Sequence, residues 1–239
     1  MLWALSGHPQ RCVEALAAPV PGGGCLRRLP RRSETRCHVR DSITERDIVF
    51  GGRYDNAKEL AHVEKHLRPG CVFVDVGANC GLFSLVAAER VGETGRVIAV
   101  EPNPLMIERL RFNISANPFR NIDVAECAVS DLVGTAEFQV CAADMGRSGL
   151  NTGLSGPRVT VAVRTLQDLL QGFGMAHVDV MKVDVEGSED RVVMPLLRAA
   201  PKSLWPHAIL IETTRLFVAR RLYPRHAKRR LPGRVEGQG

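Results

Sequence analysis

Three stretches place carboxylates where a buried apolar run gives way to a turn. In VFVDVGANCG, residues 72–81, Asp75 is followed at once by the glycine turn Gly77-Ala78-Asn79-Cys80-Gly81. In RVIAVEP, residues 96–102, Glu101 closes the run, and VDVMKVDVEGSE, residues 178–189, carries Asp184 and Glu186 near its end. Acids at the carboxyl ends of strands in an open sheet lie where such sheets bind ligands. A turn built for a diphosphate has the pattern G-x-G-x-x-G, which brings the phosphates onto a helix amino end. Here Asn79 replaces the middle glycine, and Asp75 so close by would repel a diphosphate. The same carboxylate suits a ligand with an ammonium and a sulfonium group, such as S-adenosylmethionine. Glu101 can accept hydrogen bonds from both hydroxyls of a ribose, a role common to many nucleoside ligands.

The elements that position these residues can be read from hydrophobic periodicity. NAKELAHVEKHL is expected as a helix capped by Asn56 and stopped at Pro69-Gly70, and CVFVDV as a strand covered on both faces. GLFSLVAAERVG reads as a helix, RVIAVEP as a strand, NPLMIERLRFNISAN as a helix capped by Asn103 with Pro104 at its first position, and NIDVAECAV as a third strand. GTAEFQVCA and RVTVAVRTL are expected as two antiparallel strands around the Gly/Ser-rich loop 142–157, itself a candidate lid or acceptor-binding element or an ordinary surface loop. A helix capped by Thr165, a fourth buried strand over VDVMKVDVEG, a helix capped by Ser188 and the strand HAILIET follow. The fold class is therefore α/β, a doubly wound and mostly parallel sheet with an antiparallel insertion.

Composition narrows the class of function. No apolar run approaches the length of a membrane-spanning helix, so no span is expected. The opening residues lack a basic leader and their apolar stretch is broken by Gly7-His8-Pro9-Gln10-Arg11, so a secretory signal is not read and a cytoplasmic location is expected. Seven cysteines without a C-x-x-C pair are expected as reduced, packed thiols, not as a disulfide frame or metal site. Residues 1–40 carry +5 and residues 215–239 carry +7, which against the whole-chain +6 leaves residues 41–214 at −6. The charged ends read as partly disordered, solvated tails. Because no stacking aromatics interleave with the arginines, nucleic acid is not expected as a partner. Three segments follow: a basic N-terminal extension over 1–49, a ligand-binding domain over 50–214, and a basic tail over 215–239.

VFVDVGANCGLFS, VIAVEPNP, AECAVSD and VMKVDVEGSE, taken in that order, resemble successive signatures of the FkbM family of S-adenosylmethionine-dependent methyltransferases, with D-V-E-G-x-E the most telling. The resemblance covers roughly residues 50–213. It implies the class I methyltransferase form of the doubly wound fold, and S-adenosylmethionine as cofactor. It also implies that Asp75, Gly77, Ala78, Asn79 and Gly81 shape the methionine end of the pocket and that Glu101 binds ribose. Cys127, Ala128 and Val129 would line the adenine, and Asp184 to Glu186 would face the reaction centre. Hydroxyl groups of sugars and secondary metabolites are the acceptors the resemblance implies.

Methyl transfer from a sulfonium to an alcohol is an in-line displacement, and the alcohol must lose its proton to a base or be activated by a metal. Asp184 and Glu186 are the candidate catalytic residues, either one as general base. Asp184 with Glu212 holding Mg²⁺ is a second reading, and favourable charge at a helix amino end is a third, structural one for Glu186 and Glu189. His62 and His66, four apart on one helix face, and His177 and His207, which precede strands, are expected to be structural. Only 27 residues follow Glu212, too arginine-rich for a buried hairpin, so the last strand is expected to leave a sheet edge exposed or covered by a second copy of the chain. Three alternatives to a small-molecule O-methyltransferase stay open. They are a cofactor-binding or interaction protein without turnover, a nicotinamide oxidoreductase, and an enzyme that methylates protein or RNA.

Overall fold

The computed structural model describes residues 25–29, 33–50, 57–150 and 156–211. Its centre is a sheet of five parallel strands. In chain order these are β3 (Val72–Val76), β4 (Arg96–Val100), β5 (Ile122–Ala125), β9 (Val180–Val183) and β10 (Ala208–Ile211), arranged spatially as β10-β9-β3-β4-β5. The order reverses between β3 and β9, the first strands of the two halves, whose register pairs Asp75 with Lys182. Each strand is a short apolar run because both faces of the sheet are covered.

Side-chain alternation sorts the core into two layers. Phe73, Val97 and Val180 face helices α2 (Ala57–His66) and α3 (Leu82–Val91), and Val74, Ile98, Met181 and Val183 face α5 (Leu166–Gly172) and α6 (Glu189–Ala199). Helix α4 (Pro104–Ser115) packs Leu110 against Ala78 and Ala99. The expected caps form at Asn103, which accepts from Leu105 N at 3.1 Å, and at Thr165, which accepts from Asp168 N at 3.1 Å. Ser188 makes no such bond; instead the Glu189 carboxylate reaches back to Gly187 N at 2.9 Å. Asn56 lies outside the described residues.

The antiparallel insertion is present as β7 (Gly134–Gln139) paired with β8 (Arg158–Arg164). One strand divides where the sequence suggested continuity: NIDVAECAV supplies β5 to the main sheet, turns at Glu126-Cys127, and continues as β6 (Ala128–Val129) alongside β8. At the other end of the sheet His177 and His207 stand 3.3 Å from the two oxygens of Asp179, and His66 spends Nδ1 on the His62 carbonyl at 2.8 Å. Strand β10 lies at one edge; Glu212 and the residues after it, including the C-terminal basic tail, lie outside the described residues.

Residues 33–49, which the sequence assigned to the N-terminal extension, include side chains that pack into the core. Strands β1 (Cys25–Arg28) and β2 (Glu34–Cys37) form an antiparallel hairpin, and α1 (Ile43–Phe50) follows. Leu29, Cys37 and Ile48 belong to the same buried cluster as α2 and α3. The arginines masked this because one of them, Arg36, lies over the Phe112 ring, an apolar and cationic contact that a charge count reads as solvated. The free edge of β2 is held by side chains. Asn113 accepts from Arg36 N at 2.7 Å while donating to the Cys80 carbonyl at 2.8 Å. One turn on, Asn117 accepts from Glu34 N at 2.8 Å and donates to Glu34 O at 2.7 Å. Replacing Asn113 with Leu strands a buried donor and a buried acceptor. The expected loss is about 2–4 kcal/mol, read as a lower urea midpoint at unchanged slope, against less than ~0.5 kcal/mol for the exposed control Ser115→Ala.

Candidate active site

At the carboxyl ends of β3, β4 and β9, where the strand order reverses, a cleft opens partly to solvent. The glycine turn forms its floor. Gly77 N and Ala78 N both donate to the Val100 carbonyl at 3.0 Å, which locks the turn to β4. Gly77 has φ +81°, and a Cβ there would stand 1.9 Å from the Asp184 carbonyl oxygen, so only glycine lets β3 and β9 close together at this point. Gly81, at φ +95°, meets Leu110 in the same way and begins α3. Among the described residues Asn79 (φ +54°) and Glu186 (φ +56°) are the non-glycine residues in the left-handed region, and both line the cleft. Backbone strain of this kind gathers at functional sites.

Glu101 is held on the cleft wall with its carboxylate oriented by the backbone. Asn79 N donates to Oε2 at 2.8 Å and Asn103 N to Oε1 at 2.9 Å, leaving a lone pair on each oxygen for a ligand. Burial pushes its carboxyl up to about 7, against the pull of those two N–H groups. Cys127, Ala128 and Val129 form an apolar wall with Phe138 opposite the turn. The division of β5 from β6 is what turns this short segment into the cleft. On the far side stand Asp184 and Glu186. Burial, with Asp184 and Glu189 adding negative charge, raises Glu186 to about 6, while Arg147 pulls it down.

Not every expected residue reaches the cleft. Asp75 lies one layer beneath it, fully buried, with Oδ2 accepting from Ser84 Oγ at 2.6 Å and Oδ1 3.6 Å from the Lys182 ammonium. Strand alternation explains this, since Asp75 shares the face of Phe73, against α3, and Val76 is the residue that turns to the cleft. Burial raises its carboxyl, with Lys182 opposing. Ala78 and Gly81 pack against Leu110 behind the turn. Gly77, Asn79, Glu101, Cys127, Ala128, Val129, Asp184 and Glu186 all border the cleft. Lys182 was absent from the sequence reading, yet its ammonium donates to the Gly77 carbonyl at 3.0 Å and to Asp184 Oδ2 at 3.2 Å. A lysine within a solid apolar strand was the signal available for it.

The cleft also has a roof. The loop after β7 brings Met145, Gly146, Ser148, Gly149 and Leu150 over the turn, so the Gly/Ser-rich stretch does border the site. Asn103 Nδ2 lies 3.8 Å from the Met145 sulfur, which joins the roof to the segment carrying Glu101. Among the described residues no three His, Cys, Asp or Glu side chains converge as metal ligands, and Glu212, named in the Mg²⁺ reading, lies outside them. No helix among the described residues is long and apolar enough to cross a membrane.

Comparison with known proteins places this geometry in context. The chain is 34% identical over 158 residues to 31-O-demethyl-FK506 methyltransferase FkbM of Streptomyces tacrolimicus, covering 53% of this chain and 60% of the relative. It is 24% identical over 173 residues to methyltransferase sdnD of Sordaria araneosa, covering 59% of this chain and 65% of that one. The match thus spans less than two thirds of either relative's length. Among solved structures, methyltransferase FkbM of Methylobacillus flagellatus is similar at 17% identity and a TM-score of 0.38, over 59% of this chain and 37% of that chain. Residues 75–220 match the methyltransferase FkbM domain. That span takes in the glycine turn, Glu101, the small sheet and the Asp184–Glu186 segment, and the chain belongs to the FkbM methyltransferase family.

Proposed function

We propose that this protein is an S-adenosylmethionine-dependent O-methyltransferase acting on a hydroxyl of a small acceptor, a sugar or secondary metabolite. The observation that carries the reading is Glu101, whose two oxygens are pinned by backbone N–H groups at the wall of a cleft floored by the Gly77–Gly81 turn. The residues fit the cofactor. Glu101 offers two acceptors to the ribose hydroxyls, the Cys127–Val129 wall and Phe138 offer apolar surface to the adenine, and the acids Asp184 and Glu186 face the positive charge of the methionine end. Asp75 contributes from below by holding Lys182, and Lys182 in turn fixes Asp184 and the Gly77 carbonyl. The relative from Streptomyces tacrolimicus, named for methylation at an oxygen, supports the oxygen acceptor.

S-adenosylmethionine supplies an electrophilic methyl group. The chain's own task is to position the acceptor hydroxyl and take its proton. Glu186 suits the second role: it stands at the cleft, is oriented by a strained backbone, and titrates near 6, so it is ionised at neutral pH yet still basic. Asp184, tied to Lys182 at 3.2 Å, serves to orient.

Titration of S-adenosylhomocysteine into the wild-type protein is expected to show micromolar binding, weakened at least about tenfold in Glu101→Ala, as loss of a charged hydrogen-bonding partner requires. On an acceptor found by screening hydroxylated compounds, kcat is expected to fall as pH drops below about 6, where Glu186 takes up a proton. Glu186→Gln is expected to remove that limb and about 10²- to 10⁴-fold of kcat. Full turnover with an unchanged pH profile would show that Glu186 is not the base.

A further inference from the structure

The roof of the cleft is fastened from outside the matched family segment. Met145 N donates to the Asp41 carbonyl at 2.8 Å, and Ile43 N donates to Asp144 Oδ1 at 3.2 Å, so the segment before α1 and the roof loop exchange bonds in both directions. Gly146 sits between the two sides of the site. A Cβ on it would be 3.5 Å from Asn79 Nδ2 and 4.0 Å from the Thr44 hydroxyl. The strap itself is anchored by Arg109 of α4, whose guanidinium donates to Asp41 Oδ2 and to Glu45 Oε2, each at 2.6 Å. Glu45 is fully buried and also accepts from His38 N at 3.1 Å. The far end of the roof loop is secured to β7 by paired backbone bonds between Gln139 and Gly149 at 2.9 and 3.1 Å.

We propose that Asp41, Glu45 and Arg109 are positioning residues of the cofactor site, a clasp that holds the Asp144–Ser148 roof down and opens to let cofactor and product exchange. The proposal rests on the cofactor reading above. Its parts have unequal strength, which is what opening requires. Glu45 and Arg109 form a buried charge pair that anchors the strap to α4. Asp41, by contrast, is partly exposed, and Asp41 Oδ1 and Arg109 Nε are buried without a hydrogen-bond partner among the described residues. Asp41 is the more exposed of the two carboxylates bound to Arg109, so water competes for its bond first and the Asp41 end is the one that yields. The Gln139–Gly149 bonds give the roof a fixed hinge, and the Asp41–Met145 bond is the catch.

Stopped-flow measurement of S-adenosylhomocysteine binding to the full chain tests this, using Asp41→Asn, Arg109→Lys and Arg109→Met. The expected result is a dissociation rate raised at least about tenfold in Asp41→Asn and Arg109→Met, less in Arg109→Lys. Limited trypsin digestion of the ligand-free protein is read in parallel. Cleavage after Arg147, exposed in the roof, is expected to speed at least about fivefold in the same variants, with cleavage elsewhere unchanged. Should Arg109→Met fail to fold, the milder Asp41→Asn decides alone. Folded variants with a dissociation rate and Arg147 cleavage within twofold of wild type overturn the clasp. Absence of S-adenosylhomocysteine binding by wild-type protein overturns the cofactor reading and the clasp's role in exchange with it; unchanged Arg147 cleavage would then also remove its hold on the roof.

Discussion

A single ammonium group lies under the whole site. Lys182 sits in the middle of β9, at a position where every neighbour in the strand is apolar, and its charge is shared among the Asp75 and Asp184 carboxylates and the Gly77 carbonyl. Burying a charge is tolerable only when it is paired and hydrogen-bonded, so this residue draws its partners to it. It ties the last turn of β3 to the end of β9 across the point where strand order reverses, and the absence of a side chain at Gly77 lets that happen at contact distance. The Phe83 ring, 5.1 Å from the ammonium, closes the remaining side. The cleft above has a stable floor because the charges beneath it are already matched.

The acids facing the cleft are then left to act on a ligand. Glu101 is oriented by main-chain donors and Glu186 by a left-handed backbone, so neither depends on a mobile side chain for its direction. Their burial raises both carboxyls, and a cationic ligand entering the cleft would offset that cost. A preorganised acidic wall opposite an apolar one is complementary to a molecule that is cationic at one end and aromatic at the other.

Much of this was legible in the sequence, for reasons that differ by element. The five parallel strands and their helices announce themselves because burial on both faces forces solid apolar runs, and Asn103 and Thr165 cap helices by purely local bonds. Glu101 was legible because the end of a buried strand leaves an acid few places to go. Asp75 was placed one layer too high, since its partner Lys182 is 107 residues away and nothing local reveals the pairing. The division at Glu126-Cys127 went unread because both halves are apolar and the break serves a second sheet that forms only in three dimensions. The hairpin and α1 were hidden by their arginines. Ser188 has the right chemistry for a cap, but Glu189 reaches the backbone first.

The asparagine pair on α4 has a consequence for how the chain comes to be folded. The edge of β2 finds its hydrogen-bond partners at Asn113 and Asn117, which lie 77 and 83 residues further along the chain. During synthesis the hairpin therefore leaves the ribosome long before anything exists to receive it, and must wait while roughly 80 more residues are added. For that interval β2 is an unprotected strand edge, secured only once α4 has been made.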